Sequence, residues 1–220
     1  MAIFASATNS MLSVAYTGPS SDVTLMGWVF LNGTVLTYRG IFGIEPNIMV
    51  STTTDGVTLS VGSTTVDLTG VGVLPVSTWV HLAVVVRQIT TASHIFFVYV
   101  NGELQASGAN TTITWVTFTK IVLLNTIRPG TYTGPLNGFL QDVRIWRRTL
   151  NQMEVWREMH TRPPNRMGLL AWYPIWWDTQ TPVQDKSGLG RTLAAGAGVL
   201  NLGGGPSPPP FELRPLILPR

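Results

Sequence analysis

Along residues 79–87 aliphatic and mixed positions alternate without a break. Val80, Leu82, Val84 and Val86 fall on one side, and Trp79, His81, Ala83, Val85 and Arg87 on the other. A strand turns successive side chains to opposite faces, so this period of two predicts a central strand of a two-layer sandwich, aliphatic side inward. With Arg87 opposite His94 on the next strand, His81 is expected opposite Val100, and the two histidines are not neighbours. Residues 23–31 are rich in large apolar side chains and run into Asn32-Gly33, followed by residues 34–38. Asn-Gly between such runs predicts a hairpin, because a type I′ turn needs two residues tolerant of positive φ. The same device recurs at Asn101-Gly102 after residues 94–100, and Asn137-Gly138 opens a strand over 139–146. Shorter runs at 48–51, 57–61 and 65–68 are bounded by Gly, Ser or Asp. Many short strands at this spacing predict an all-β, antiparallel two-sheet β-sandwich.

One helix interrupts the pattern, over residues 151–160. Asn151 stands three residues before Glu154, a capping-box spacing, and Val155 and Met159 lie one turn apart with Gln152 and Trp156 beside them. Pro163-Pro164 stops it, since proline cannot continue the hydrogen-bond ladder. Glu154 and Glu158 share a helix face and are expected to serve the cap, the helix dipole and solvation. The sandwich is expected to occupy residues 1–202, with an N-terminal arm at 1–10 and a late strand at 168–175. Residues 203–220, Gly- and Pro-rich at first, are expected to form an extended C-terminal tail. Its apolar residues Phe211, Leu213, Leu216, Ile217 and Leu218 predict docking against a surface.

Composition removes several chemistries. None of the 220 residues is Cys, which excludes a disulfide framework, a thiolate nucleophile and a Cys-based zinc site. No run reaches 18 apolar residues and no basic leader precedes the first strand, so membrane insertion is not expected. Only 11% of residues are charged, against about 25% in an average soluble domain. Residues 1–119 carry two basic side chains, Arg39 and Arg87, and five acidic ones; residues 120–220 carry twelve and six. So few charges weaken the repulsion that keeps copies apart, which predicts assembly, including a homo-oligomer. The basic residues of the second half are scattered and come with no helix-turn-helix or zinc signature, so nucleic acid is not an expected partner.

Three segments in order resemble the laminin-G-like, concanavalin-A-like jelly-roll superfamily. Thr24-Leu25-Met26-Gly27-Trp28-Val29 is similar to an early strand of that family. Trp79-Val80-His81-Leu82-Ala83-Val84-Val85, followed by Phe97-Val98-Tyr99-Val100-Asn101-Gly102, is similar to its paired central strands. Gly138-Phe139-Leu140-Gln141-Asp142-Val143-Arg144-Ile145-Trp146, leading to Glu154, resembles its closing strand and short helix. A fourth stretch, Leu169-Leu170-Ala171-Trp172-Tyr173 with Asp185-Lys186-Ser187-Gly188-Leu189-Gly190, resembles one that begins the domain in most relatives. Here it comes last, so a permuted sandwich is expected, with the late strand in the first one's place. Domains resembling this one are frequent in bacteriophage virions. The resemblance therefore implies a non-enzymatic structural or attachment module of a phage virion, a capsid decoration or a tail or adhesion protein, whose partners are other virion or assembly proteins. The alternative it implies is a carbohydrate-binding, lectin-like domain, extracellular, with surface glycans as partners.

Candidate chemistry is sparse. Glycosidases of related architecture line one sheet face with carboxylates, one to protonate the leaving group and one to attack or activate water. The eleven acidic residues show no such cluster; Asp142 stands alone in its strand with Arg144 two residues on, which predicts an ion pair. No catalytic residue and no cofactor are expected. Asp55, Asp178 and Asp185 sit in Gly-, Thr- or Ser-rich surroundings and leave room for at most a weak calcium site, because calcium takes about six to eight oxygen ligands. Trp115, Trp172, Trp176 and Trp177 are the candidate glycan or partner contacts, since an aromatic face can stack on a sugar ring.

Overall fold

The computed structural model describes residues 3–5, 11–18, 22–33, 39–53, 56–61, 64–67, 71–90, 92–110, 117–125, 127–128, 131–132, 134–175, 183–195 and 200–202. The strands in chain order begin with β1 (Ile3–Ala5), β2 (Leu12–Gly18), β3 (Val23–Leu31), β4 (Arg39–Glu45), β5 (Ile48–Thr53), β6 (Gly56–Val61) and β7 (Thr64–Asp67). Next come β8 (Trp79–Thr90), β9 (Ser93–Val100), β10 (Glu103–Asn110), β11 (Phe118–Leu123), β12 (Ile127–Arg128), β13 (Thr131–Tyr132) and β14 (Gly134–Pro135). After β15 (Gly138–Trp146) comes the helix α1 (Gln152–His160), then β16 (Leu169–Tyr173), β17 (Ala194–Ala195) and β18 (Leu200–Leu202).

These form two layers. The first sheet runs β10-β9-β8-β3-β15-β1-β18, with β16 also on β15; the second runs β17-β2-β11-β4-β5-β6-β7, with β14 on β4. Pairing is antiparallel except for β14 beside β4, and β12 with β13 forms a separate ribbon. The aliphatic side of β8 packs inward as its alternation predicts. Val80, Leu82, Val84 and Val86 join Val23, Leu25, Phe96, Val98 and Ile145 against Phe42, Ile44, Val50, Leu59 and Ile121 of the second sheet. Each such side chain withdrawn from water contributes about 1.5–3 kcal/mol, which is what holds the layers face to face.

Turn chemistry sets two of the registers. Asn101 and Gly102 sit at φ 52° and 81°, the conformation a two-residue I′ hairpin requires, and join β9 to β10. The run expected to follow the Asn32-Gly33 turn, residues 34–38, lies outside the described residues. Both edges of β3 are already taken, by β8 and β15, and the next described strand, β4, lies in the other sheet. Arg87 pairs with Ile95 rather than His94, so the register is one residue away from the expectation and His81 faces Asn101. The loop is tighter than the expected one over 88–93, since pairing continues through Gln88–His94 and, past a register shift, to Thr90–Ser93. A second bulge, between Gln141 and Arg144 of β15, holds Asp142 at φ 52°. The late strand β16 is antiparallel to β15, from Val143–Tyr173 to Trp146–Leu169.

Candidate functional site

The outward side of the first sheet differs from the inward one. Met26, Ala83, Val85, Tyr99 and Trp146 form a smaller apolar cluster there, closed by Leu150, Val155 and Leu169 and flanked by Phe97 and Trp172. The helix α1 lies over this cluster because two devices fix it. At its start the Thr24 hydroxyl donates to the Arg148 carbonyl (2.8 Å) and accepts the Leu150 N–H (3.1 Å). At its end Arg144, only 1% exposed, uses all five guanidinium donors. Nε and Nη2 grip Asp142 at 3.1 and 2.8 Å, Nη1 reaches the Glu158 carboxylate (3.0 Å) and carbonyl (2.5 Å), and Nη2 also reaches the Thr161 carbonyl (2.7 Å). The Asp142–Arg144 ion pair read from the sequence is present. Glu158, expected in solvent, is buried instead, because the helix presses that face onto Arg144. Burial pushes its carboxyl upward, against the pull of Arg144 and the Asn165 N–H.

Between the helix start and the sheet a groove of about 330 Å³ remains open. Val85, Phe97, Tyr99 and Leu150 make its apolar floor; Arg87, Thr149, Asn151, Gln152 and Glu154 make its polar rim. Period-two alternation puts Val85 and Arg87, and likewise Phe97 and Tyr99, on this outer face. The capping box fixes the rim: Asn151 Oδ1 accepts the Glu154 N–H and Glu154 Oε2 accepts the Asn151 N–H, both at 2.9 Å. Glu154 Oε1 takes Arg148 at 2.7 Å. Burial alone would raise the Glu154 carboxyl, but the Asn151 N–H and the Arg148 and Arg157 charges hold it below the usual carboxylate range. Tyr99 is 6% exposed, and no hydrogen bond to its hydroxyl occurs among the described residues. The groove was missed in the sequence because it unites residues 50 or more apart; the period-two pattern and the capping box each gave half of it.

Beyond the groove, His81 is buried against Trp28, ring centroids 5.2 Å apart and edge-on. Burial above all, then the charges of Arg144 and His160, push its imidazole down from the ordinary 6.5 to about 3. It is a neutral structural side chain at any physiological pH. Trp172, half-buried, donates its indole N–H to Asp142 at 2.8 Å. Trp115, Trp176, Trp177, Phe211, Leu213, Leu216, Ile217 and Leu218 lie outside the described residues, as do Asp55 and Asp178. Asp185 is described and its carboxylate is fully engaged. Oδ1 accepts the Trp172 and Ser187 N–H groups, and Oδ2 the Ser187 hydroxyl and the Arg191 N–H, between 2.8 and 3.1 Å. It organises a loop and has no lone pair left for a cation. Among the described residues no group of three or more His, Asp or Glu is placed to hold a metal ion.

A family profile described as the concanavalin A-like lectin/glucanases superfamily matches residues 6–156. A "putative carbohydrate binding protein" from Bacteroides ovatus has a similar structure, with a TM-score of 0.69 at 18% identity, over 91% of this chain and 59% of that one. The chain thus spans about three-fifths of the length of that protein. Domain 4 of AbnA, a GH43 extracellular arabinanase from Geobacillus stearothermophilus, in complex with arabinotriose, aligns with a TM-score of 0.49 at 22% identity, over 64% of this chain and 68% of that one. No curated protein sequence matches the chain.

Proposed function

Starting from the fact that the chain belongs to the concanavalin A-like lectin/glucanase superfamily, we propose that it is a carbohydrate-binding module whose ligand lies in the groove between α1 and the first sheet. The observation that carries this reading is the groove's make-up: an aromatic floor of Phe97 and Tyr99 under a rim of amide, hydroxyl and charged groups. A sugar ring has an apolar face and an equator of hydroxyls, and such a surface answers both. At about 330 Å³ the groove lies at the small end of ligand pockets, which suits roughly one or two sugar rings.

Binding without hydrolysis is the better match to the carboxylates. Asp142 and Glu158 both grip Arg144 and are buried, and Glu154 is held by its cap and by Arg148. None of the three is free to protonate a leaving group or to attack. The attachment role expected from the sequence is kept here as glycan recognition; the virion setting has no support from the relatives matched. Screening the chain on a glycan array is the test. Phe97→Ala is expected to weaken the positive signals about tenfold, the loss of roughly 1.4 kcal/mol of stacking and burial. An array blank at millimolar sugar would remove the reading.

A further inference from the structure

We propose that the groove selects acidic saccharides, with the sugar's carboxylate held by Arg87 and its ring on Phe97 and Tyr99. This rests on the glycan reading above and adds the ligand's charge. Residues 1–119 hold two basic side chains, and the two are used differently. Arg39 donates to the Pro135 carbonyl at 3.3 Å. Arg87 is exposed on the groove rim, and no carboxylate among the described residues lies within ion-pair distance of it. Neither nearby acid forms an ion pair with it. Asp22, on the adjoining strand end, has its Oδ1 on the Gln88 N–H at 2.8 Å. Glu154, the rim's own acid, is already compensated by Arg148 and its cap.

Three further donors favour an acidic ligand. The N–H groups of Asn151 and Glu154 are bonded within the capping box, whereas those of Gln152 and Met153 have no acceptor among the described residues. The first turn of a helix carries a partial positive charge that favours an anion nearby. The Tyr99 hydroxyl, without a partner on an otherwise buried side chain, is a neutral donor in the groove, since burial raises its pKa. A guanidinium fork matches a planar carboxylate in two parallel hydrogen bonds, which neither a hydroxyl nor an acetamido group can supply. A neutral sugar offers Arg87 no counter-charge.

The test uses the whole chain on an array of matched pairs, in which uronic-acid and sialylated oligosaccharides stand beside the same sugars with the carboxyl group reduced. The expected result is binding confined to the acidic members, falling as NaCl rises from 50 to 500 mM. Arg87→Gln should lower affinity for them at least tenfold, and Arg87→Lys, which keeps the charge and loses the fork, should recover part of the loss. Far-ultraviolet circular dichroism and the melting temperature check that both exposed-site variants remain folded. Equal binding of acidic and reduced members, or an Arg87→Gln variant that binds unchanged, overturns this inference while leaving glycan binding in place. A chain that binds neither set overturns both.

Discussion

The first sheet presents two faces built by different means. Its inward face is aliphatic along β3, β8 and β9, and packs against the second sheet. Its outward face carries Trp28, His81, Gln141, Arg144 and Trp146 under a single nine-residue helix. One helix is too narrow to cover a sheet. Where it fits, the buried Arg144 is answered by Asp142 and Glu158, and the Trp146 indole N–H by the Asn165 carbonyl; where it stops short, the groove remains. Apolar burial makes the inward face indifferent to pH and salt, while the outward face depends on partner geometry and leaves room for a ligand.

The comparison can be broken most severely at Arg144. Arg144→Met leaves Asp142 and Glu158 buried without their counter-charge, and a loss of about 3–5 kcal/mol in denaturant unfolding is expected. On the opposite face Leu82→Ala removes no polar partner; it opens a cavity costing about 2–5 kcal/mol, with no dependence on pH between 5 and 8. An Arg144 variant as stable as the parent protein would show that α1 does not depend on this buried ion cluster.

A smaller effect separates the faces by pH. His81 holds its folded pKa near 3 against an ordinary 6.5, so between those values the unfolded chain binds the proton and the folded one does not. Stability should therefore fall on acidification from pH 7 to pH 5, by about 2 kcal/mol from this residue. His81→Leu should abolish that part of the slope. Glu158 works in the opposite direction, because its raised carboxyl favours the protonated folded state, so the His81 contribution must be read as the difference between variant and parent.

The two faces were also unequally legible in the sequence. Strict alternation in residues 79–87 displayed the aliphatic side of β8, and the Asn-Gly and Asn-x-x-Glu signals located the β9–β10 turn and the helix cap, because each depends on neighbours in the chain. The strand β4 was not legible. Its Gly43 interrupts the apolar pattern, and is there because a Cβ would come within 2.5 Å of the Ile48 carbonyl. The turn signal at Asn32-Gly33 is silent on strand edges: both edges of β3 are occupied, by β8 and β15, which no local preference could show. Glu158 was misplaced for a similar reason: its partner is Arg144, fourteen residues away on another element. The groove likewise needs β8, β9 and the helix start to be brought together before its rim exists.

Titrating ¹⁵N-labelled protein with the strongest acidic oligosaccharide from the array, and following amide chemical shifts, tests the outward face as the recognition surface most directly. The largest shifts are predicted at Arg87, Phe97, Tyr99 and Gln152, with the residues of β5 and β6 on the far sheet unmoved. Shifts concentrated on that far sheet or on the Asp185 loop, with the groove silent, would contradict the account.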